Sequence, residues 1–397
     1  MKVKNILNDL LVDVTPDMHK VRRKNLEAMI ISLISGADLS VTSLGRNIKS
    51  DTTEKHQIKR STRLCSNIHL HQELSGVYSK LCRRLISDQK QPIILVDWSD
   101  LDARKDLFLI RAAVAVDGRS LALLDEVHPL STKEKPEVHR KFMNKLKSIL
   151  PIDCKPIIVT DAGFRVPWFK LIESLGWDYV GRVRNKTFCL NPTDKDWHPI
   201  KDLYLHASAT PKNLGHYQMS RRDPIACDMV IYKKLKKGRK DLVATGERAR
   251  RSKKSLSNAA KEREPWLLAT SLPSHETSFA KRVVKIYKSR MQIEESFRDL
   301  KTGLNFNQSN SRKQKRIEVL LLISIVAQFV LFLLGVTVKL LGKHLRYQAN
   351  SIKDRNVLSY QYIGLRVLKD RHLKLNKRDF MLAFERIKTL IAEISIA

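Results

Sequence analysis

The stretch Val319 to Val338, VLLLISIVAQFVLFLLGVTV, constrains the fold of this chain more than any other. A run of that length without a charge can cross a bilayer, and it is equally what a helix buried on every side requires. Lys and Arg flank it at both ends, so no positive-inside bias orients it. It is the one such span in a chain dominated by charge, and it reads as a central core helix with no membrane partner.

Charge narrows the partner. Across 397 residues, 74 Lys and Arg stand against 41 Asp and Glu, a formal net charge of +33. An excess that large calls for a polyanion, with nucleic acid first and an anionic membrane surface second. The five cysteines (Cys65, Cys82, Cys154, Cys189, Cys227) are scattered and form no C-x-x-C, which fits neither a disulfide framework nor a zinc module. Met1 to Val14 mixes charges with short apolar pieces and does not read as a secretory signal. A reducing cytoplasm is the expected location.

Along the chain, residues 1–88 read as a helical domain, with Leu26, Met29, Ile30, Leu33 and Ile34 at helical spacing. Inside it, LSVTSLGRNIKSDTTEKHQIKRSTRL suggests two short helices with a turn near Ser50 and Asp51. Lys55, Lys59, Arg60 and Arg63 on the second are candidate DNA contacts of a helix-turn-helix reader. From residue 89 the texture changes. IILVDWSD, FLIRAAVAVDG and SLALLDEVHP read as three successive strands. A helix over 133–150, the strand PIIVTDAG, a helix over 166–175 and the strand DYVGRVR follow. Three neighbouring strands before strand and helix alternate is an α/β order, but not that of a simple doubly wound sheet.

A β-rich insertion is expected over 186–270, carrying the very basic run 233–254, which suits backbone tracking. The domain that begins at residue 89 is expected to end near 345, followed by a helical region over 346–397 suited to dimerisation. Arg182 and Arg184, ending the strand DYVGRVR, are candidate phosphate contacts.

Asp97 ends the apolar run Ile93–Val96, and Asp161 ends Ile157–Thr160. Each places a carboxylate at the end of a buried strand, where α/β proteins commonly build ligand sites. One such Asp would more simply cap a helix or open a turn. Two of them in a very basic protein suit phosphodiester chemistry, since carboxylates are hard ligands for Mg²⁺ or Mn²⁺. In YKSRMQIEESFRDLK, a turn of about 100° per residue puts Tyr287, Arg290, Glu294, Arg298 and Lys301 on one polar stripe. Glu295 points away from it. Periodicity therefore prefers Glu294 as a third acid, against the simpler account of a solvated salt-bridge face.

Those residues carry a resemblance. Tyr287, Arg290, Glu294 and Lys301 meet the pattern Y-x2-R-x3-E-x6-K, and with LVDWSD, VTDAGF followed by VPW, EPWLLAT and RMQIEESFRDLK the chain resembles the IS-four family of bacterial insertion-sequence transposases. The likeness runs from LGRN near Gly45 to RNVLS at Arg355. It implies a ribonuclease H-like catalytic core with a β-rich insertion, preceded by a helical N-terminal DNA-binding domain. It implies a DDE triad of Asp97, Asp161 and Glu294 holding two Mg²⁺ ions, with Mn²⁺ able to substitute. Tyr287, Arg290 and Lys301 would hold the DNA backbone near the cleaved end. Trp266 would stack on a flipped base, and Met291 stands where relatives can carry a second stacking Trp.

The implied reaction is cut-and-paste transposition: 3′-end nicking, hairpin formation and opening, then strand transfer into target DNA. The implied partners are double-stranded DNA and a second copy of the chain in a synaptic complex, at the bacterial nucleoid. Asp100 and Asp102 are set aside as ligands because strand alternation turns them from Asp97. His69-Leu70-His71, a metal pair in some nucleases, lies in a helical polar stretch. A DNA-binding regulator without cleavage is the remaining alternative, and an intact triad counts against it.

Overall fold

The computed structural model describes residues 3–102, 104–184, 187–233, 252–253, 264–349, 351–352, 355 and 357–396. Two units divide the chain, Met1–Pro156 with Ser289–Ile396, and Ile157–Lys288.

The first unit opens with α1 (Val3–Val14), α2 (Lys20–Ile34), α3 (Val41–Arg46), α4 (Glu54–Cys65) and α5 (Ile68–Ile86). Ser40 and Asn67 begin α3 and α5 by accepting the backbone N–H of Ser43 and Leu70, as short polar caps do. Helices α3 and α4 stand where two short helices separated by a turn were expected. Gly45 makes their close approach possible, since a Cβ there would lie 2.7 Å from Ile58 Cα.

Strands β1 (Ile93–Asp100), β2 (Leu107–Ala115) and β3 (Ser120–Pro129) then form an antiparallel meander. Its β2–β3 turn contains Gly118 at φ +70°, a conformation glycine adopts without steric cost. The register sets Asp97 opposite Arg111, and Arg111 opposite Asp125. Helix α6 (Pro136–Ile149) follows.

In the second unit, β4 (Ile157–Thr160), α7 (Val166–Ser174) and β5 (Asp178–Val183) make a parallel β–α–β turn. Gly181 admits the Phe169 ring, which a Cβ would meet at 2.3 Å. The strands β6 (Phe188–Leu190), β7 (His198–Pro199), β8 (Lys212–Met219), β9 (Ile225–Tyr232) and β10 (Trp266–Thr270) complete the order β4-β5-β10-β9-β8-β6-β7. A β-rich segment is thus present where an insertion was expected. Of the basic run 233–254, only 233, 252 and 253 fall among the described residues. Helix α8 (Phe279–Ser289) ends the unit.

The chain re-enters the first unit through α9 (Met291–Arg298), a π-helical turn (Asp299–Gly303), α10 (Gln314–Leu340), α11 (Tyr360–Lys369) and α12 (Lys377–Ile396). Helix α10 is long and apolar enough to cross a membrane, yet its most apolar window is wholly buried. It touches α2, α4, α5, β3, α11 and α12. Apolar residues on every face are what such a position demands, and the buried hydroxyls of Ser324 and Thr337 donate to Leu321 and Leu333 carbonyls of the same helix. The core-helix reading accounts for the run that opened the sequence analysis.

Glycines set how closely α10 and α11 pack. A Cβ on Gly335 would lie 2.0 Å from the Tyr360 carbonyl oxygen, and one on Gly364 would lie 2.1 Å from that of Leu331. Backbone cannot yield as a side chain does. Gly335→Ala or Gly364→Ala is expected to destabilise the protein by about 1–3 kcal/mol or more, read as a lower urea midpoint. An unchanged midpoint would mean that the helices can part at little cost.

Candidate active site

Asp97 leaves the buried run Ile93–Val96 at the point where β1 becomes partly accessible. Its Oδ1 accepts the Trp98 backbone N–H at 2.8 Å, and the Trp98 indole N–H donates to His139 Nε2 at 3.1 Å. Burial pushes the His139 imidazole down to about 4, so at neutral pH that nitrogen is an acceptor. Trp98 also stands edge-on to His128, ring centroids 5.7 Å apart. The residue after Asp97 is therefore held at both its backbone and its ring.

Glu294 lies on the first turn of α9. Arg290, at the junction before that helix, places Nη2 at 2.6 Å from Glu294 Oε1 and Nη1 at 3.7 Å from Asp97 Oδ2. One guanidinium, its side chain only 14% exposed, thus faces a strand carboxylate and a helix carboxylate far apart in sequence. Sharing a cation offsets the repulsion between two neighbouring carboxylates.

A straight helical wheel from Tyr287 to Lys301 does not hold. The helix breaks at Arg290 and widens into the π turn, so Lys301 falls off the stripe and donates to Asp100 Oδ1 at 3.0 Å. Burial raises the Asp100 carboxyl, but Lys301 outweighs it and holds that group below its ordinary value. Asp100, which strand alternation sets aside, is thus the residue that fixes the Lys301 ammonium. Arg298 pairs with Glu295, three residues before it on the same helix. Glu295 and Asp299 clasp Arg119 at 3.5 and 3.0 Å. The two adjacent glutamates face different partners.

In the second unit, Asp161 directly follows β4, and its Oδ1 accepts the Gly163 N–H at 2.7 Å. Trp266 opens β10, its ring edge-on to Tyr287 at 4.9 Å and tilted to Tyr232 at 5.7 Å. Tyr287 is buried at 3% exposure. Arg184 pairs with Glu264 at 2.5 Å, while Arg182 reaches the Glu264 and Pro265 carbonyls at 3.5 and 3.4 Å. Met291 is exposed, its sulfur 3.8 Å from Arg290 Nη2. Among the described residues, no three His, Cys, Asp or Glu side chains gather into a group that could hold a metal ion.

On α4, Lys55, Lys59 and Arg63 are exposed. Arg60 turns inward, donating to Asn25 Oδ1 at 2.6 Å and to Gln57 Oε1 at 3.4 Å, and so braces the helix. A further charged pair lies outside the residues singled out from the sequence. Arg111 and Asp125 are fully buried, joined through Nε–Oδ1 at 2.8 Å and Nη2–Oδ2 at 2.7 Å, and Arg111 Nη1 donates to Ser296 Oγ at 3.2 Å. A charged residue in each of the apolar strands LFLIRAAVA and SLALLDEV was the available signal.

Residues 88–330 match the family model described as the transposase DDE domain. No curated protein matches the chain.

Proposed function

Because this chain belongs to the transposase DDE domain family, a family of polynucleotidyl transferase-type enzymes acting on DNA, we propose that it mobilises its own insertion sequence by metal-dependent cut-and-paste transposition. Asp97, Asp161 and Glu294 would be the acids of a ribonuclease H-like core. The observation that carries this reading is the guanidinium of Arg290 set between Asp97 and Glu294. A strand acid and a helix acid far apart in sequence thus face one cation, which supports their acting as a pair.

The donor chemistry fits, since carboxylate oxygens are the ligands hard cations prefer. Bound Mg²⁺, or Mn²⁺ in its place, would supply charge stabilisation to the attacking and leaving oxygens of an in-line displacement at phosphorus. The chain's own residues do the rest. Arg290 would trade its carboxylates for a DNA phosphate, a bidentate partner that matches its fork. Lys301, fixed by Asp100, would neutralise the backbone beside it. Trp266, between Tyr232 and Tyr287, would take a flipped base, with Met291 exposed beside Arg290.

The exposed cations of α4 would read the terminal inverted repeats. Arg298, Arg182 and Arg184 would contribute backbone contacts. A homodimer would bring two ends together, with 3′-end nicking, hairpin formation and opening, and strand transfer as successive steps in the bacterial cytoplasm. The likeness to the IS-four family carries these finer steps.

A supercoiled plasmid bearing the DNA that flanks the gene tests the reading. Nicking at the repeat ends is expected with Mg²⁺, none in EDTA, and recovery on adding Mn²⁺ in excess. Cleavage that persists in EDTA, or binding without any nicking, would overturn it.

A further inference from the structure

A cavity of about 500 Å³ lies wholly within the second unit, beginning at Ala162, the residue after Asp161. Among the described residues, four arginines line it, Arg165, Arg182, Arg184 and Arg221, and no acidic residue does. Of these, Arg184 is neutralised by Glu264. Arg182 carries a buried Nε without a hydrogen-bond partner. Arg165 stands at the start of α7, which has no side-chain cap, so the positive end of the helix dipole adds to its charge. Apart from Thr187 and Ser220, the remaining walls are apolar, with Phe164, Pro167 and Val183 among them.

The fourth arginine is preorganised. Its guanidinium carbon lies 3.7 Å from the centroid of the Phe188 ring, and its Nη2 donates to the Trp197 carbonyl at 3.1 Å. Ser220 before it takes φ +76°, a conformation that costs a non-glycine residue energy and that recurs at binding sites. Its N–H is tied to the Phe188 carbonyl at 2.9 Å. The turn after β8 is therefore bent so that a planar cation lies on an aromatic ring. A guanidinium fixed in this way is a platform on which a base can stack.

We propose that this pocket binds one unstacked nucleotide of a DNA strand, its phosphate held by Arg165 and Arg182 and its base laid on the Phe188–Arg221 stack. Walls that combine unneutralised arginine with apolar surface and exclude acids suit an anion bearing a flat ring. The choice of a DNA strand rests on the transposase reading. The pocket is separate from Trp266. Trp266 is not among the residues that line it.

The test uses the full-length protein with two probes, a blunt duplex and the same duplex carrying a short single-stranded extension with a fluorescent purine whose emission falls on stacking. The extension is expected to tighten binding about tenfold and to quench the probe. Phe188→Leu and Arg221→Ala should remove that gain and leave affinity for the blunt duplex within about twofold, since one exposed phosphate contact contributes little beyond it. Arg221→Lys keeps the charge and the fold but not the plane, and should lose the quench. If the variants weaken both probes by the same factor, the pocket is only a basic surface and the proposal fails. Free thymidine monophosphate competing as well as the strand would also overturn it, making the site one for a free nucleotide. Failure of wild type to bind even the blunt duplex would overturn the transposase reading as well, a result distinct from loss of the extension's gain.

Discussion

Asp97→Asn and Glu294→Gln should each lower metal-dependent nicking by about a thousandfold or more while leaving duplex binding within about threefold. Loss of one ligand from a site that stabilises charge on both reacting oxygens forfeits several kcal/mol, and about 1.4 kcal/mol corresponds to each decade of rate. Both changes keep side-chain volume, so packing around β1 and α9 is preserved. Both also free part of Arg290, because each deletes one of the two charges that face its guanidinium. If DNA phosphate competes for that guanidinium, binding to DNA should tighten slightly rather than weaken. Asp161→Asn, made beside them, measures whether the third acid belongs with the pair. A variant that nicks at the wild-type rate would reduce the shared Arg290 to an ordinary ion pair and remove that residue from the triad.

Much of the fold can be read from apolar runs. Continuous ones over Ile93–Val96 and Ile157–Thr160 become β1 and β4, because a strand covered on both faces has no polar side to show. Strand β8, KNLGHYQM, is largely exposed and carries no such run, so its pairing with β9 decides its conformation where local pattern cannot. At the site, the spacing of Glu294 singles it out from Glu295, and their partners do differ. What the wheel cannot convey is a break at Arg290 and a π turn at Lys301. A helical projection assumes a constant angle, and both irregularities change which residues meet. That is why Asp100 emerges as the partner of Lys301. Arg60 illustrates the opposite limit. Charge alone suggests DNA, whereas Asn25 on a neighbouring helix claims the side chain.

The second large effect is on stability, at Asp125→Asn. The row Asp97, Arg111, Asp125 crosses β1, β2 and β3 on one face, and the side chains of Arg111 and Asp125 are wholly excluded from water. Removing the Asp125 charge leaves a buried guanidinium without a counter-ion, which costs roughly 3–5 kcal/mol. The pair itself need not be strongly stabilising, since desolvation consumes much of its attraction. Replacing both residues with apolar ones of similar size, Arg111→Met with Asp125→Leu, should therefore unfold in urea much closer to wild type than Asp125→Asn does. The double variant separates stability from positioning. It lacks the Arg111 bond to Ser296, two residues from Glu294 on α9, and it should nick more slowly despite near-normal folding. An Asp125→Asn protein with an unchanged urea midpoint would show that Arg111 finds another partner or reaches water. A double variant with full activity would show instead that Phe297, whose ring lies 5.4 Å from the Arg111 guanidinium, and the other packing of α9 are enough to hold Glu294.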